Sequence, residues 1–375
     1  MTGYDPIPGD KLFNSVRDKD CIVMAANTRF IPGVAEGVLK AAKDTNTPVI
    51  IEIARSECDL SGGYTGYTPE EFAKRLKEAA KKVKCSKWVL HADHISIKDG
   101  TPETIEGTKK LIKAQIDAGF TSFAIDASHI FNFEGKDEKE ELAGNLKATI
   151  EVAKFIEEEM RKRGIQSYGL EVEVGEVGRK GEDGLILTTP AQAATFITEL
   201  NKAGVYPQLL ATANGTVHGN VYDEKGQKIA KVGIDIPRTK EIAAALRKTG
   251  TTTRIAQHGI TGTPLKWIQT LFPRGDVLKG NVGTFWQDVF FYVIDIYEPE
   301  LYKKMWDWTQ TTYAGKGNSP EEIFGKNCKN AFKPFFKETH SLGADTLRAL
   351  EAKAYAEALI FFKAFNSLGK GDLVK

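Results

Sequence analysis

The chain has 375 residues, of which 41% are hydrophobic and 27% charged, close to globular averages, so disordered, collagen-like and membrane classes are excluded. Lys and Arg number 51 against 50 Asp and Glu, a formal net charge of +1. Such a chain has no overall field to draw it onto nucleic acid or an anionic membrane.

At about 150 residues per domain, the length fits one large α/β barrel with additions or two ordinary domains. The N-terminal MTGYDPIPGDKLF has no apolar stretch of signal-peptide length, and no window reaches the roughly 18 apolar residues of a membrane helix. Short β-branched runs then alternate with longer amphipathic ones. The expected strands are 21–26, 48–54, 87–91, 122–126, 167–174, 208–213, 253–257 and 277–281. Between them, Thr68-Pro69-Glu70-Glu71 has the form of a capped helix start closed by a capping box, and the same grammar recurs at Thr101-Pro102-Glu103, Thr189-Pro190 and Thr263-Pro264. Eight strands, each followed by a helix, predict an α/β fold, a (β/α)8 TIM barrel, rather than a doubly wound sheet. After Thr284 the pattern changes to aromatic helical runs at 285–313, 320–339 and 344–365. The expected organisation is a catalytic barrel over 1–284 and a C-terminal helical extension over 285–375, packed on the barrel or on a neighbouring subunit of a homodimer or homotetramer. Cys21, Cys58, Cys85 and Cys328 are far apart, with no CxxC pair. That spacing argues against a zinc ribbon or a disulfide framework and for reduced thiols in a cytoplasmic protein.

In such a barrel, chemistry belongs at the C-terminal strand ends. Asn27 follows the first strand, Glu52 ends the second, His91-Ala92-Asp93-His94 closes the third, Asp126 ends the fourth, and Glu171 and Glu173 end the fifth; His218 and His258 follow the sixth and seventh, and Asn281 closes the eighth. Of six histidines, four (His91, His94, His218, His258) sit at these ends, and imidazoles from different strands converging on one mouth suit a divalent metal with an open position. Asp93 and His94 are adjacent, so their side chains are expected to diverge, one to metal and one to substrate. Glu171 and Glu173 share a face, either as partners of the metal site or as a buried polar layer. The glycine-rich, charged loop 175–184 suits a lid, or is a solvated surface loop. A phosphate site is suggested where His258-Gly259-Ile260-Thr261-Gly262-Thr263-Pro264 opens a helix, with Asn281-Val282-Gly283-Thr284 beside it.

His91-Ala92-Asp93-His94, Leu170-Glu171-Val172-Glu173-Val174-Gly175 leading to Gly181-Glu182-Asp183-Gly184, Thr216-Val217-His218-Gly219, His258-Gly259 and Asn281-Val282-Gly283-Thr284 together resemble the class II, metal-dependent fructose-bisphosphate aldolases. The resemblance implies His94, His218 and His258 as ligands of Zn2+ or another divalent metal, with Glu173 at an alternative position. It implies Asp93 as acid/base at the C4 hydroxyl of a phosphorylated sugar, and Glu182 as proton donor and acceptor at C3. Asn27, Gly219, Gly259, Gly262, Thr263, Asn281, Gly283 and Thr284 would bind substrate, and a monovalent cation, Na+ or K+, would sit near the Val217 and Gly219 carbonyls. The implied activity is a lyase of glycolytic carbohydrate metabolism. Three features depart from the family pattern: Gly259-Ile260-Thr261-Gly262 in the seventh loop, the absence of a serine where strand two ends Glu52-Ile53-Ala54-Arg55, and Ser61-Gly62-Gly63-Tyr64-Thr65-Gly66-Tyr67-Thr68-Pro69. The last of these resembles the tagatose-bisphosphate aldolase accessory subunit group. Alternatives are therefore a metal-dependent epimerase of a tagatose/fructose-type ketose or ketose phosphate, and a non-catalytic accessory subunit, the latter disfavoured by the complete acid and histidine set.

Overall fold

The structure, a computed structural model, describes residues 3–181, 184–216, 219–229 and 233–374. Eight parallel strands close into a barrel: β1 (Val23–Ala26), β2 (Val49–Ala54), β3 (Trp88–Ser96), β4 (Ser122–Asp126), β5 (Gly169–Glu173), β6 (Leu209–Ala211), β7 (Arg254–Gln257) and β8 (Val277–Val282). Strand β1 pairs with both β2 and β8, which completes the ring. All eight expected strands are present. The helices between them, α2 (Val34–Asp44), α3 (Pro69–Val83), α4 (Pro102–Ala118), α5 (Glu138–Lys162), α6 (Pro190–Lys202), α7 (Ile236–Lys248) and α8 (Leu265–Leu271), follow β1 to β7 in turn. An earlier helix, α1 (Gly9–Val16), was not expected from the sequence. Its Leu12, Phe13 and Val16 join Val23, Ile50, Val89, Leu209 and Ala256 in an apolar layer that closes the N-terminal end of the barrel.

The helix starts bear out part of the expected grammar. Thr189 and Gln192 form a full capping box. Thr68 and Thr101 each accept one backbone N–H, but the Glu71 carboxylate takes Arg75 rather than returning to Thr68. Thr263 does not cap at all: Pro264 is the N-cap of α8, which has only 7 residues.

Beyond β8 come α9 (Thr284–Tyr297), α10 (Pro299–Thr312), α11 (Pro320–Asn327), a 3-10 turn (Cys328–Ala331), α12 (Phe336–Thr339) and α13 (Ala344–Ala364). The run 285–313 is thus two helices. Pro299 cannot continue the first, and Glu298 before it receives the Gly343 N–H at 3.1 Å and the Thr346 hydroxyl at 2.7 Å at the start of α13. Helix α13 lies along α2 at a separation only glycine allows, since a Cβ on Gly37 would fall 2.4 Å from the Glu351 carbonyl oxygen. All four cysteines are buried and unpaired. Among the described residues no helix is long and apolar enough to cross a membrane.

Candidate metal centre and active-site cavity

Along the strands, the interior changes from apolar to polar towards the C-terminal ends. On β2, Ile50 is followed two residues on by Glu52; on β3, Val89 is followed by His91 and Asp93; on β5, Glu171 and Glu173 share the inward face, all of these buried. Two irregularities re-aim the site residues. The β7–β8 register skips Leu278, so Ala256 pairs with Lys279. The β3–β4 register skips Asp93 and His94, passing from Ala92↔Phe123 to Ile95↔Ile125, with His94 at φ +40°. This bulge overturns the expectation that Asp93 and His94 diverge. Both line one cavity, with Asp93 Oδ2 3.9 Å from His94 Nε2, because a bulge breaks the alternation of the strand.

The cavity, about 580 Å³, opens at the C-terminal end of the barrel and is lined by residues from most strands. At its base His94 Nε2 and His258 Nδ1 face each other at 2.8 Å. The far nitrogen of each ring meets carboxylates: His94 Nδ1 lies 3.1 Å from Glu173 and 3.4 Å from Asp126, and His258 Nε2 lies 2.9 Å from Glu171. Two imidazoles turned to a common point, each backed by a carboxylate, have the donor arrangement a divalent metal takes. The Asp93, His94, His258 and His94, Asp126, Glu173 groups are each close enough to share an ion. Burial lowers the His94 pKa, but Asp93 and Glu173 outweigh it and hold it well above the ordinary histidine range. Glu173 is raised by burial and by Asp126.

Beneath this pair lies a network that sequence reasoning missed. Lys279, wholly buried, places Nζ 2.7 Å from Glu171, 3.1 Å from Glu52 and 3.3 Å from Asp93, and 3.0 Å from His91 Nε2. Burial opposes its charge, yet the three carboxylates raise its pKa. Asp93 in turn is held ionised: burial raises its pKa, but His94 and Lys279 lower it further. Glu52 is shifted the opposite way, upward, by burial and by Asp93. The signal available in the sequence was a lysine in the run Val277-Leu278-Lys279-Gly280-Asn281-Val282, two residues before the flagged Asn281. His91, which is outside the ligand set that the resemblance implies, shares a hydrogen bond with the Ser122 hydroxyl at 2.7 Å and lies against Lys279.

The other expected residues are distributed as follows. Asn27, Gly219, Gly259, Asn281, Gly283 and Thr284 line the cavity, whereas Gly262 and Thr263 do not. Asn27 Oδ1 and Asn281 Oδ1 are buried without a hydrogen-bond partner among the described residues. Glu182, His218 and the Val217 carbonyl lie outside the described residues, so half of the expected monovalent-cation site does too. The loop 175–184 contains the start of a two-stranded ribbon, Lys180–Gly181 against Gly184–Leu185, and its Glu176 and Val177 reach the cavity wall.

The chain is similar to known proteins in sequence and in fold. A fructose-bisphosphate aldolase of Staphylococcus epidermidis is 28% identical over 279 residues, covering 71% of this chain and 80% of that one. In fold, the chain is similar to a fructose-bisphosphate aldolase from Campylobacter jejuni (TM-score 0.62, 20% identity, 98% and 97% of the two chains). It is also similar to a fructuronate-tagaturonate epimerase from Cohnella laeviribosi (TM-score 0.59, 14% identity, 99% and 83%). The family described as class-II fructose-bisphosphate aldolase matches residues 8–343. The chain belongs to that family and is a carbon–carbon lyase.

Proposed function

We propose that the protein is a zinc-dependent aldolase that cleaves a phosphorylated ketose between C3 and C4, with fructose 1,6-bisphosphate giving dihydroxyacetone phosphate and glyceraldehyde 3-phosphate. The observation that carries this reading is the facing pair His94 and His258, each backed by carboxylates, with ionised Asp93 at the same point of the cavity. These residues fit a divalent metal, with His94 and His258 as ligands, His218 completing the set and Glu173 at an alternative position. A divalent ion there would act as a Lewis acid, polarising the ketose carbonyl. Asp93, its charge sustained by Lys279 at 3.3 Å, takes the C4 hydroxyl proton as the C3–C4 bond opens, leaving an aldehyde. Glu182 returns a proton to C3 of the departing three-carbon half. Asn27, Gly219, Gly259, Asn281, Gly283 and Thr284, which line the cavity, are the proposed substrate contacts, the unpartnered Asn27 and Asn281 carbonyl oxygens being suited to sugar hydroxyls.

A second reading, epimerisation at C4 by cleavage and re-addition within the site, is favoured by the seventh loop. Pro264 caps a 7-residue α8, so the expected helix-terminus anchor for a released triose phosphate is weak. A coupled dehydrogenase assay separates the two. Fructose 1,6-bisphosphate is expected to release both triose phosphates, and exhaustive chelation to abolish the reaction. Asp93→Asn is expected to retain metal and lose turnover by on the order of 100-fold or more. A C4 epimer formed with no triose trapped assigns the epimerase, and full activity in metal-free protein sinks the metal centre.

A further inference from the structure

The cavity has a second charged wall that the proposed chemistry leaves unused. After β1 the chain runs Asn27-Thr28-Arg29-Phe30, with Arg29 at φ +51° and Phe30 at φ +42°. Two successive non-glycine residues in the left-handed region are strained and persist only where the surroundings enforce them. Here the result is a buried, fixed guanidinium: Arg29 Nε donates to the Tyr64 hydroxyl at 2.9 Å and Nη1 to the Gly283 carbonyl at 3.0 Å. Glu57 lies 3.3 Å from Nε. Its carboxylate is also engaged by the Ala54 N–H at 2.9 Å, Asn27 Nδ2 at 2.5 Å and the Tyr64 hydroxyl at 2.5 Å.

Lys329, from the 3-10 turn of the C-terminal extension, sets Nζ 5.5 Å from the centre of the Tyr64 ring. Both cations line the cavity. Neighbouring Lys326 is paired with Glu322, but among the described residues no carboxylate lies within ion-pair distance of Lys329. Its pKa is lowered, by burial and then by Arg29. Two cations against the single Glu57 leave this wall positive, while Asp93, Asp126 and Glu173 line the same cavity. A partly desolvated ammonium that shares one carboxylate with a neighbouring guanidinium is costly, and a bound anion would reduce that cost.

We propose that Arg29 and Lys329 seat the terminal anionic group, a carboxylate or a phosphate ester, of a ketose whose other end reaches Asp93, His94 and His258. The proposal rests on the ketose reading above and adds a determinant of specificity. Arg29 presents a planar fork fixed in advance, and Lys329 adds a point charge beside it. The C-terminal extension thereby supplies part of the substrate site.

The test is calorimetric titration of the metal-loaded full chain with D-fructose, D-fructose 6-phosphate and D-fructuronate. At least one anionic ketose is expected to bind about tenfold or more tightly than fructose. Lys329→Met, which keeps the aliphatic stem, is expected to cut the anionic-to-neutral affinity ratio about tenfold with no change in melting temperature, and Arg29→Lys, which loses the fork, to reduce it as well. Preference for fructose 6-phosphate alone identifies a phosphate ester, and preference for fructuronate alone a carboxylate. Equal affinity for neutral and anionic ketoses, or an anion preference that survives both substitutions, overturns the proposal. Binding is read without turnover, so an intact preference with no triose released would count against the aldolase reading and not against this one.

Discussion

Lys279 sits where a lysine is least expected, inside the barrel with no exposed surface, among Glu52, Asp93 and Glu171. Removing one partner of a buried ionic cluster leaves charge uncompensated and costs roughly 3–5 kcal/mol. Lys279→Met is therefore expected to lower the chemical-denaturation stability by that amount. Because Glu171 bridges Lys279 to His258, the variant should also lose on the order of 10-fold in metal affinity, the lower end of the effect of disturbing residues that orient ligands. Unchanged stability with unchanged metal content would show that Glu171 and Asp93 are held by other means. Asp93, His94, Glu173 and His258 were legible in the sequence because histidine and carboxylate are scarce inside barrels and coincide with strand ends. Lys279 was not, since lysine is ordinarily a surface residue and its inward direction depends on a skipped residue in the β7–β8 register. Arg29 and Lys329 were equally hidden, because the chain brings them together only through the docking of the C-terminal helices.

Local grammar determined the helix starts well at α3, α4 and α6 and failed at α8. The Thr-Pro starts of α3, α4 and α6 could be read directly, and in all three the threonine caps the helix. At α8 the same dipeptide fails: the Thr263 hydroxyl is buried and unpartnered, and the helix begins after Pro264. The bulge in β3 had no sequence sign at all, yet it decides that Asp93 and His94 converge. Helix α2 carries the clearest test of how the extension docks. In an exposed helix interior, replacing glycine by alanine gains about 0.5–1 kcal/mol, and Gly107 on α4, with nothing within 4 Å of an added Cβ, should behave so. Gly37→Ala would instead press a methyl to 2.4 Å from the Glu351 carbonyl oxygen, and overpacking costs typically 1–3 kcal/mol. The two variants are expected to shift the denaturation midpoint in opposite directions. A stabilised Gly37→Ala would mean that α13 does not hold α2 at this distance in solution.

For the whole molecule, the division at residue 284 that the sequence suggests marks a change of pattern, and we propose that it does not mark a boundary between units that fold alone. The barrel and the extension share one apolar core, in which Phe361, Phe362 and Phe365 pack with Ile22, Met24, Val277 and Val282. The Ile22 N–H, at the threshold of β1, donates to the Phe365 carbonyl at 2.9 Å, and a Cβ on Gly280 of β8 would lie 2.9 Å from the Phe365 ring. The last turn of the chain returns to the barrel as well, the Gly369 and Gly371 N–H groups donating to the Thr45 and Asn46 carbonyls at 3.1 and 2.7 Å. Trp286, Phe290, Phe361, Phe362 and Phe365 are all buried, and at about 1.5–3 kcal/mol for each large apolar side chain their loss approaches the whole net stability of an ordinary domain, about 5–15 kcal/mol. A chain ending at Thr284 is accordingly expected to be insoluble, or to bind hydrophobic dye and lack the near-ultraviolet circular dichroism of packed aromatic residues. The full chain should keep both signals native up to its melting temperature. If residues 1–284 alone gave a soluble protein with native aromatic dichroism and a cooperative transition, the extension would be an accessory to a finished barrel, and the cation wall built from Arg29 and Lys329 would be an addition to a site already complete.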